Sequence, residues 1–247
     1  MLAHTVTATR KAEPFYVWMA VAAALVVFGG FAPTYFLRSF AAVATYPSGA
    51  AVSRSLPLLI HAHAIVSTSW LLLLVVQTTL VAAGRTDVHR RLGVAGVVIA
   101  TILIVLGLMT AIKGARDGWN PGGPFADSHG FLVVTVGDIL LFASFVGAGF
   151  LFRHNREAHK RLMILGTLAG LMWPAITRMP YVAPRPPRMF GLLLLLVLAV
   201  PVRDYVTNRR VHPVAVWGPL IILASFPLRQ ALAATVAWRH FAEWLIG

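Results

Sequence analysis

The sequence predicts an all-α, polytopic membrane helix bundle of about seven transmembrane helices, with its N-terminus inside and its C-terminus outside. Three observations carry this expectation. The 247-residue chain is 58% hydrophobic and only 12% charged, with a mean hydropathy of +0.78, outside the usual composition of a soluble globular domain. Its apolar residues fall in long runs, each near the length needed to cross roughly 30 Å of hydrocarbon. Its cations cluster in the short connections between those runs.

Taken in order, seven runs are visible: Phe15 to Leu37, Leu56 to Ala83, Leu92 to Ile112, Gly130 to Phe152, Leu162 to Met179, Met189 to Val206, and Val211 to about Ala237. The first follows Arg10 and Lys11 but is too long for the apolar core of a signal peptide. The sixth is the weakest, because Pro201, Arg203 and Asp204 interrupt it. Residues 1–14 read as a cytoplasmic segment, 15–237 as one transmembrane domain, and 238–247 as an interfacial end whose Trp238 and Trp244 anchor it at the headgroups. Positive charge in short loops marks the cytoplasmic side. The connections with Arg85, Arg90 and Arg91, with Arg153, Arg156, Lys160 and Arg161, and with Arg203, Arg209 and Arg210 therefore belong inside. The segments Arg38 to Ser55 and Lys113 to His129 belong outside, and Asn120-Pro121-Gly122-Gly123-Pro124 reads as a turn over the bundle mouth. A bacterial inner membrane fits this pattern.

The net charge of +13 does not point to nucleic acid, since the basic residues form no continuous face. No cysteine is present, which excludes disulfides, thiolate metal sites, iron-sulfur clusters and cysteine nucleophiles. The only lysines are Lys11, Lys113 and Lys160, so a retinal Schiff base in the seventh run is excluded. There is no phosphate-binding glycine loop and no zinc-protease motif, and no set of catalytic residues stands out.

A short repeat, His-basic-Arg-Leu, occurs as His89-Arg90-Arg91-Leu92 before the third run and as His159-Lys160-Arg161-Leu162 before the fifth. At the other side His61 and His63 open the second run, and His129 opens the fourth. The second run also carries His63, Ser67, Trp70, Leu74 and Gln77 at steps of four, three, four and three, one stripe of a helix. Polar groups in hydrocarbon turn toward protein or a wet cavity, so His61, His63, His129, Trp70 and Gln77 are candidate cofactor-binding residues. The same groups serve equally as hydrogen bonds between helices. Asp138 lies deep in the fourth run, with Arg178, or else a shared water and hydroxyl network, as the expected partner. Small residues at Gly107, Gly137, Gly147, Gly149, Gly166 and Gly170 allow close helix approach.

His61, His63, His89, His129, His159 and His212 sit at or just before expected helix N-termini, where the macrodipole favours a neutral ring. A neutral imidazole can ligate a metal, accept a proton or hold a quinone oxygen. Among arginines at the cytoplasmic side, His89, Arg90, Arg91, His159, Lys160, Arg161 and His212 read as contacts to lipid headgroups.

His61-Ala62-His63 through Trp70, Gln77, Gly84-Arg85 and His89-Arg90-Arg91-Leu92-Gly93 resembles a group of bacterial multi-pass membrane proteins to which no reaction is assigned. So do His159-Lys160-Arg161-Leu162-Met163 with Ala175-Ile176-Thr177-Arg178, and Asp204 with Arg209-Arg210-Val211-His212-Pro213. The resemblance spans most of the chain after the first run and implies a multi-pass fold with recurrent histidines.

Three functional readings stay open. The first is a histidine-lined site on the outer side in which His63 and His129, with His61 as alternate, bind haem b or a divalent metal ion, or in which the site contacts quinone, for redox or metal handling. The second is a non-enzymatic membrane subunit or lipid-binding scaffold of a larger complex, beside other membrane subunits. The third is a proton-coupled transporter using Asp138, Arg178 and Gln77.

Overall fold

A computed structural model describes residues 14–40, 55–119, 125 and 127–247, and among these every regular element is a helix, without strands. The expected turn at 120–124 and most of the 38–55 connection lie outside the described residues. Helix α1 (Phe15–Phe31) runs on through a π turn, Ala32–Phe36. It is followed by α2 (Leu58–Ala82), α3 (Thr86–Arg116), α4 (Ser128–Leu151), α5 (Arg156–Ile176), α6 (Pro186–Asn208), α7 (Pro213–Ala233) and α8 (Val236–Ile246). The polytopic helical class read from hydropathy is what the chain adopts.

Among the described residues, six helices are long and apolar enough to cross a membrane. Helix α5 fails that test because Arg156, Glu157, Lys160 and Arg161 occupy its first turns, yet it is the hub of the bundle. It packs on α1, α4, α6 and α7 and buries Leu165, Met172, Ala175 and Ile176 completely. Several helices outrun their apolar stretches, because a helix continues into the headgroup layer wherever its backbone bonds are made internally. Helix α3 begins six residues before Leu92 and ends at Arg116. Caps set other starts: the carboxylate of Asp127 accepts the Gly130 N–H at 2.8 Å, and the Asn155 side chain accepts that of Ala158 at 3.1 Å. The Gly130 N–H holds the Asp127 carboxyl below the usual carboxylate range.

Helices α1, α2, α3, α4 and α5 form a ring in which each packs on the next and α5 closes back on α1. Helix α2 packs broadly on α1 and α3 only. It reaches the α4–α5 pair through Trp70, which donates to Thr167 Oγ1 at 3.2 Å and packs edge-on against Phe142. Helix α8 breaks away from α7 at Thr235 and lies against α3 and α4. It buries Trp238, Ala242 and Ile246 and exposes Val236, Phe241 and Trp244. Trp238 Nε1 donates to the His129 carbonyl at 2.9 Å, Arg116 donates to the Ile246 carbonyl, and Arg239 pairs with Asp127 at 3.4 Å.

Gly30 sets the crossing of α1 over α5. A Cβ there would lie 2.2 Å from the Ala175 carbonyl oxygen, whereas one at Gly29 meets only Met179 at an ordinary 3.8 Å. Gly30→Val is therefore expected to force the helices apart and cost about 1–3 kcal/mol, read as a lower thermal midpoint in detergent. Gly29→Ala is expected to leave that midpoint unchanged or raised, and equal losses from both would place the close approach elsewhere.

Candidate functional site

Where α2 stands off from α4 and α5, the ring encloses a cavity of about 730 Å³. Its wall is mainly apolar and combines aromatic rings, among them Phe31, Tyr35, Trp119, Phe131, Phe142 and Trp173, with polar groups that include Thr34, His63, Ser67, Thr110, Asp138 and Arg178. Such a wall suits a small molecule, the apolar surface supplying affinity and the polar groups orientation.

Five buried side-chain atoms have no hydrogen-bond partner among the described residues, and three of them, His63 Nδ1, Thr34 Oγ1 and Thr110 Oγ1, belong to residues of this wall. Buried polar atoms are nearly always bonded, so three such atoms in one wall single this cavity out within the bundle. Local structure keeps the space beside His63 open. Gly107 stands next to the ring, and a Cβ there would lie 3.7 Å from His63 Cε1. On α5, Pro174 lacks an N–H, so the Gly170 carbonyl one turn earlier loses its helical donor. Both residues line the cavity.

Arg178, at the mouth, donates to the Pro174 carbonyl at 2.6 Å and stacks over Phe31 and Trp119, with centroid distances of 4.7 and 5.3 Å. It is not the partner of Asp138. That partner is Arg229 of α7, whose Nη1 lies 2.6 Å from Asp138 Oδ1. Gly137 makes the pairing possible, since a Cβ there would sit 2.5 Å from Arg229 Nε. The expectation of an Asp138–Arg178 pair is corrected accordingly. A cation inside the seventh apolar run was the available signal for Arg229, and it was as conspicuous as Asp138 in the fourth.

The stripe on α2 divides by depth. His63 and Ser67 line the cavity. Trp70 is fully packed behind the wall, and Gln77 lies 14 residues beyond His63, roughly 21 Å along the helix, beside His89. His61 is outside the wall and bonds Tyr35 Oη through Nδ1 at 3.0 Å. His129 is also outside it, its carbonyl held by Trp238. Of the five expected cofactor-binding residues, His61, His63, His129, Trp70 and Gln77, the structure brings His63 alone to the cavity. No three His, Asp or Glu side chains converge on a metal-sized point among the described residues.

At the other end of the bundle the expected headgroup residues separate. Arg90 and Arg91 are exposed. Arg161 is buried, at 2% exposure, and its guanidinium binds both Asp204 oxygens, the Glu157 carboxylate at 2.8 Å and the Glu157 carbonyl at 2.6 Å. Asp204 also accepts the His212 N–H at 3.1 Å. Arg161 is thus an internal strut from α5 to α6, not a lipid contact. Lys160 bonds Glu157 and lies over the Tyr16 ring. His212 caps α7, its Nδ1 accepting the Val214 N–H at 3.2 Å. Burial and then Arg161 push this imidazole below its ordinary range. The Arg161–Asp204 pair was missed because Arg161 follows a run of loop cations and only its packing distinguishes it from them.

A scan against protein-family models, a search of curated proteins and a search of solved structures each find no match to this chain.

Proposed function

We propose that this multi-pass membrane protein binds a lipid-soluble molecule with a hydrogen-bonding head, of the quinone class, in the cavity beside His63. The observation that carries the reading is the buried, unpartnered His63 Nδ1 in an aromatic wall of sufficient volume. A single imidazole can donate to or accept from a carbonyl or hydroxyl, Thr34 and Thr110 offer further hydroxyls, and the rings suit a flat conjugated head. An imidazole pair on haem or a metal has less support, since His129 is not in the wall.

The charge pattern supports placing the cavity at the outer side of a bacterial inner membrane. The connections and helix ends at the far side carry Arg85, Arg90, Arg91, Arg153, Arg203, Arg209 and Arg210, as the cytoplasmic side does.

Trp119 and Trp173 line the cavity, so their fluorescence reports occupancy. Titration of the detergent-purified protein with short-chain ubiquinone and menaquinone analogues is expected to give saturable quenching, weakened at least tenfold in His63→Ala and unchanged in Gln77→Ala. Absence of saturable quenching, or quenching indifferent to His63, would overturn the proposal.

A further inference from the structure

Serine and threonine hydroxyls inside helices commonly donate to a carbonyl three or four residues earlier. This chain follows that habit at Ser67, Thr78, Thr101, Thr135, Thr167 and Thr177, with distances of 2.7–3.1 Å. Thr34 departs from it. The residue is 6% exposed, it lines the cavity, and its Oγ1 has no hydrogen-bond partner among the described residues. Thr110 shares the departure and the wall; what sets Thr34 apart is the backbone that carries it.

Thr34 stands at the centre of the π turn Ala32–Phe36. There the Leu37 N–H donates to the Ala32 carbonyl, five residues back, at 2.7 Å, so the turn is wider than one of an α-helix. Single π turns of this kind are frequent at functional sites. Pro33 has no N–H to return to the Gly29 carbonyl and its ring crowds that carbonyl, which favours the wider turn. Both sides of the turn are pinned. Before it, Gly30 brings α1 hard against Ala175 of α5; after Thr34, Tyr35 Oη bonds His61 Nδ1 of α2 at 3.0 Å. A hydroxyl held in this way, in a mainly apolar wall, costs the fold a buried polar group that the described fold does not bond.

We propose that Thr34 is a ligand contact of this cavity and sets its selectivity for heads that carry oxygen, its hydroxyl bonding a carbonyl or hydroxyl of the bound molecule. The inference rests on the quinone-class reading and adds to it a contact from α1, in addition to that of His63 on α2. A threonine hydroxyl donates to a quinone carbonyl and accepts from a quinol hydroxyl, so the contact serves both forms. A purely hydrocarbon head would leave it unmet. Losing one such bond weakens binding about three- to tenfold.

Two measurements on the full chain in detergent test it. Without added ligand, Thr34→Val removes a hydroxyl that the fold does not bond, so its thermal midpoint is expected to equal or exceed that of the wild type. Thr167→Val, which loses the bond from Trp70 Nε1 and the bond to the Met163 carbonyl, is expected to melt lower. In the fluorescence titration with short-chain quinone analogues, Thr34→Val is expected to bind about three- to tenfold more weakly. Thr34→Ser, which keeps the hydroxyl, and Thr78→Val, outside the wall, are expected to bind as the wild type does. A midpoint lowered in Thr34→Val as in Thr167→Val would place the hydroxyl's partner within the fold and overturn the inference. Equal weakening in Thr34→Val and Thr34→Ser, or saturable wild-type quenching that Thr34→Val leaves unchanged, would overturn it while the His63 reading stands. No saturable quenching in the wild type would remove that reading, and this inference with it.

Discussion

Arg161→Met is expected to destabilise the bundle by about 3–5 kcal/mol, the cost of leaving a buried charge without its partner. Asp204 is 1% exposed and depends on this guanidinium for both carboxylate oxygens. It also accepts the His212 N–H, at the turn into α7. Losing Arg161 therefore strands an anion at the junction of α5, α6 and α7. The loss comes from desolvation more than from a missing attraction, so removing both charges is expected to recover most of it. Arg161→Met/Asp204→Leu should melt close to the wild type in detergent, while the exposed control Arg153→Met should change little. Equal midpoints for Arg161→Met and Arg153→Met would show that Arg161 is solvated after all.

Arg229→Met is expected to cost a similar about 3–5 kcal/mol for the same reason. Asp138 lies in the wall of the cavity and at the α4–α7 contact, so its stranded carboxylate would load both. Asp138→Leu should suppress the defect when combined with Arg229→Met. It should not suppress a defect in Arg178→Met, because Arg178 holds the Pro174 carbonyl and two aromatic faces and not Asp138. Thermal unfolding of the three single and two double variants separates the pairs. Suppression of Arg178→Met alone would restore the pairing expected from sequence.

The contrast between these two arginines also indicates what sequence could and could not reveal. Hydropathy located the helices because lipid imposes one strong requirement, an apolar segment with internally satisfied backbone. It read Arg156 to Arg161 as a connection, whereas these residues form the first turns of α5 and Arg161 is a buried strut. Periodicity placed His63 and Gln77 on one face of α2 but carried no information about depth, and they serve opposite ends of the bundle. His63 was legible as a site residue because it combined a polar ring with an apolar run. Its relation to Thr34, Thr110 and Arg178 was not, since those residues converge only through the arrangement of α1, α3 and α5 around α2. The repeat was visible as four matching residues, but that the rings of His89 and His159 stand 6.1 Å apart is a property of the packed hairpins alone.

The two internal ion pairs also impose an order on how the chain is made. Asp138 and Arg229 are separated by 91 residues, and at synthesis rates of about 5–20 residues per second the carboxylate of α4 waits several seconds for its counterion to emerge. A lone aspartate at the centre of a helix disfavours membrane insertion by roughly 2.5–3.5 kcal/mol. Arg161 faces a shorter wait, with 43 residues to Asp204, and it carries Glu157 one turn away as an interim partner. Helix α5 can thus enter the lipid with its charge already covered, whereas α4 cannot. Until α7 arrives, α4 carries an uncompensated carboxylate that its apolar residues must offset, and packing against α3 and α5 lowers that cost.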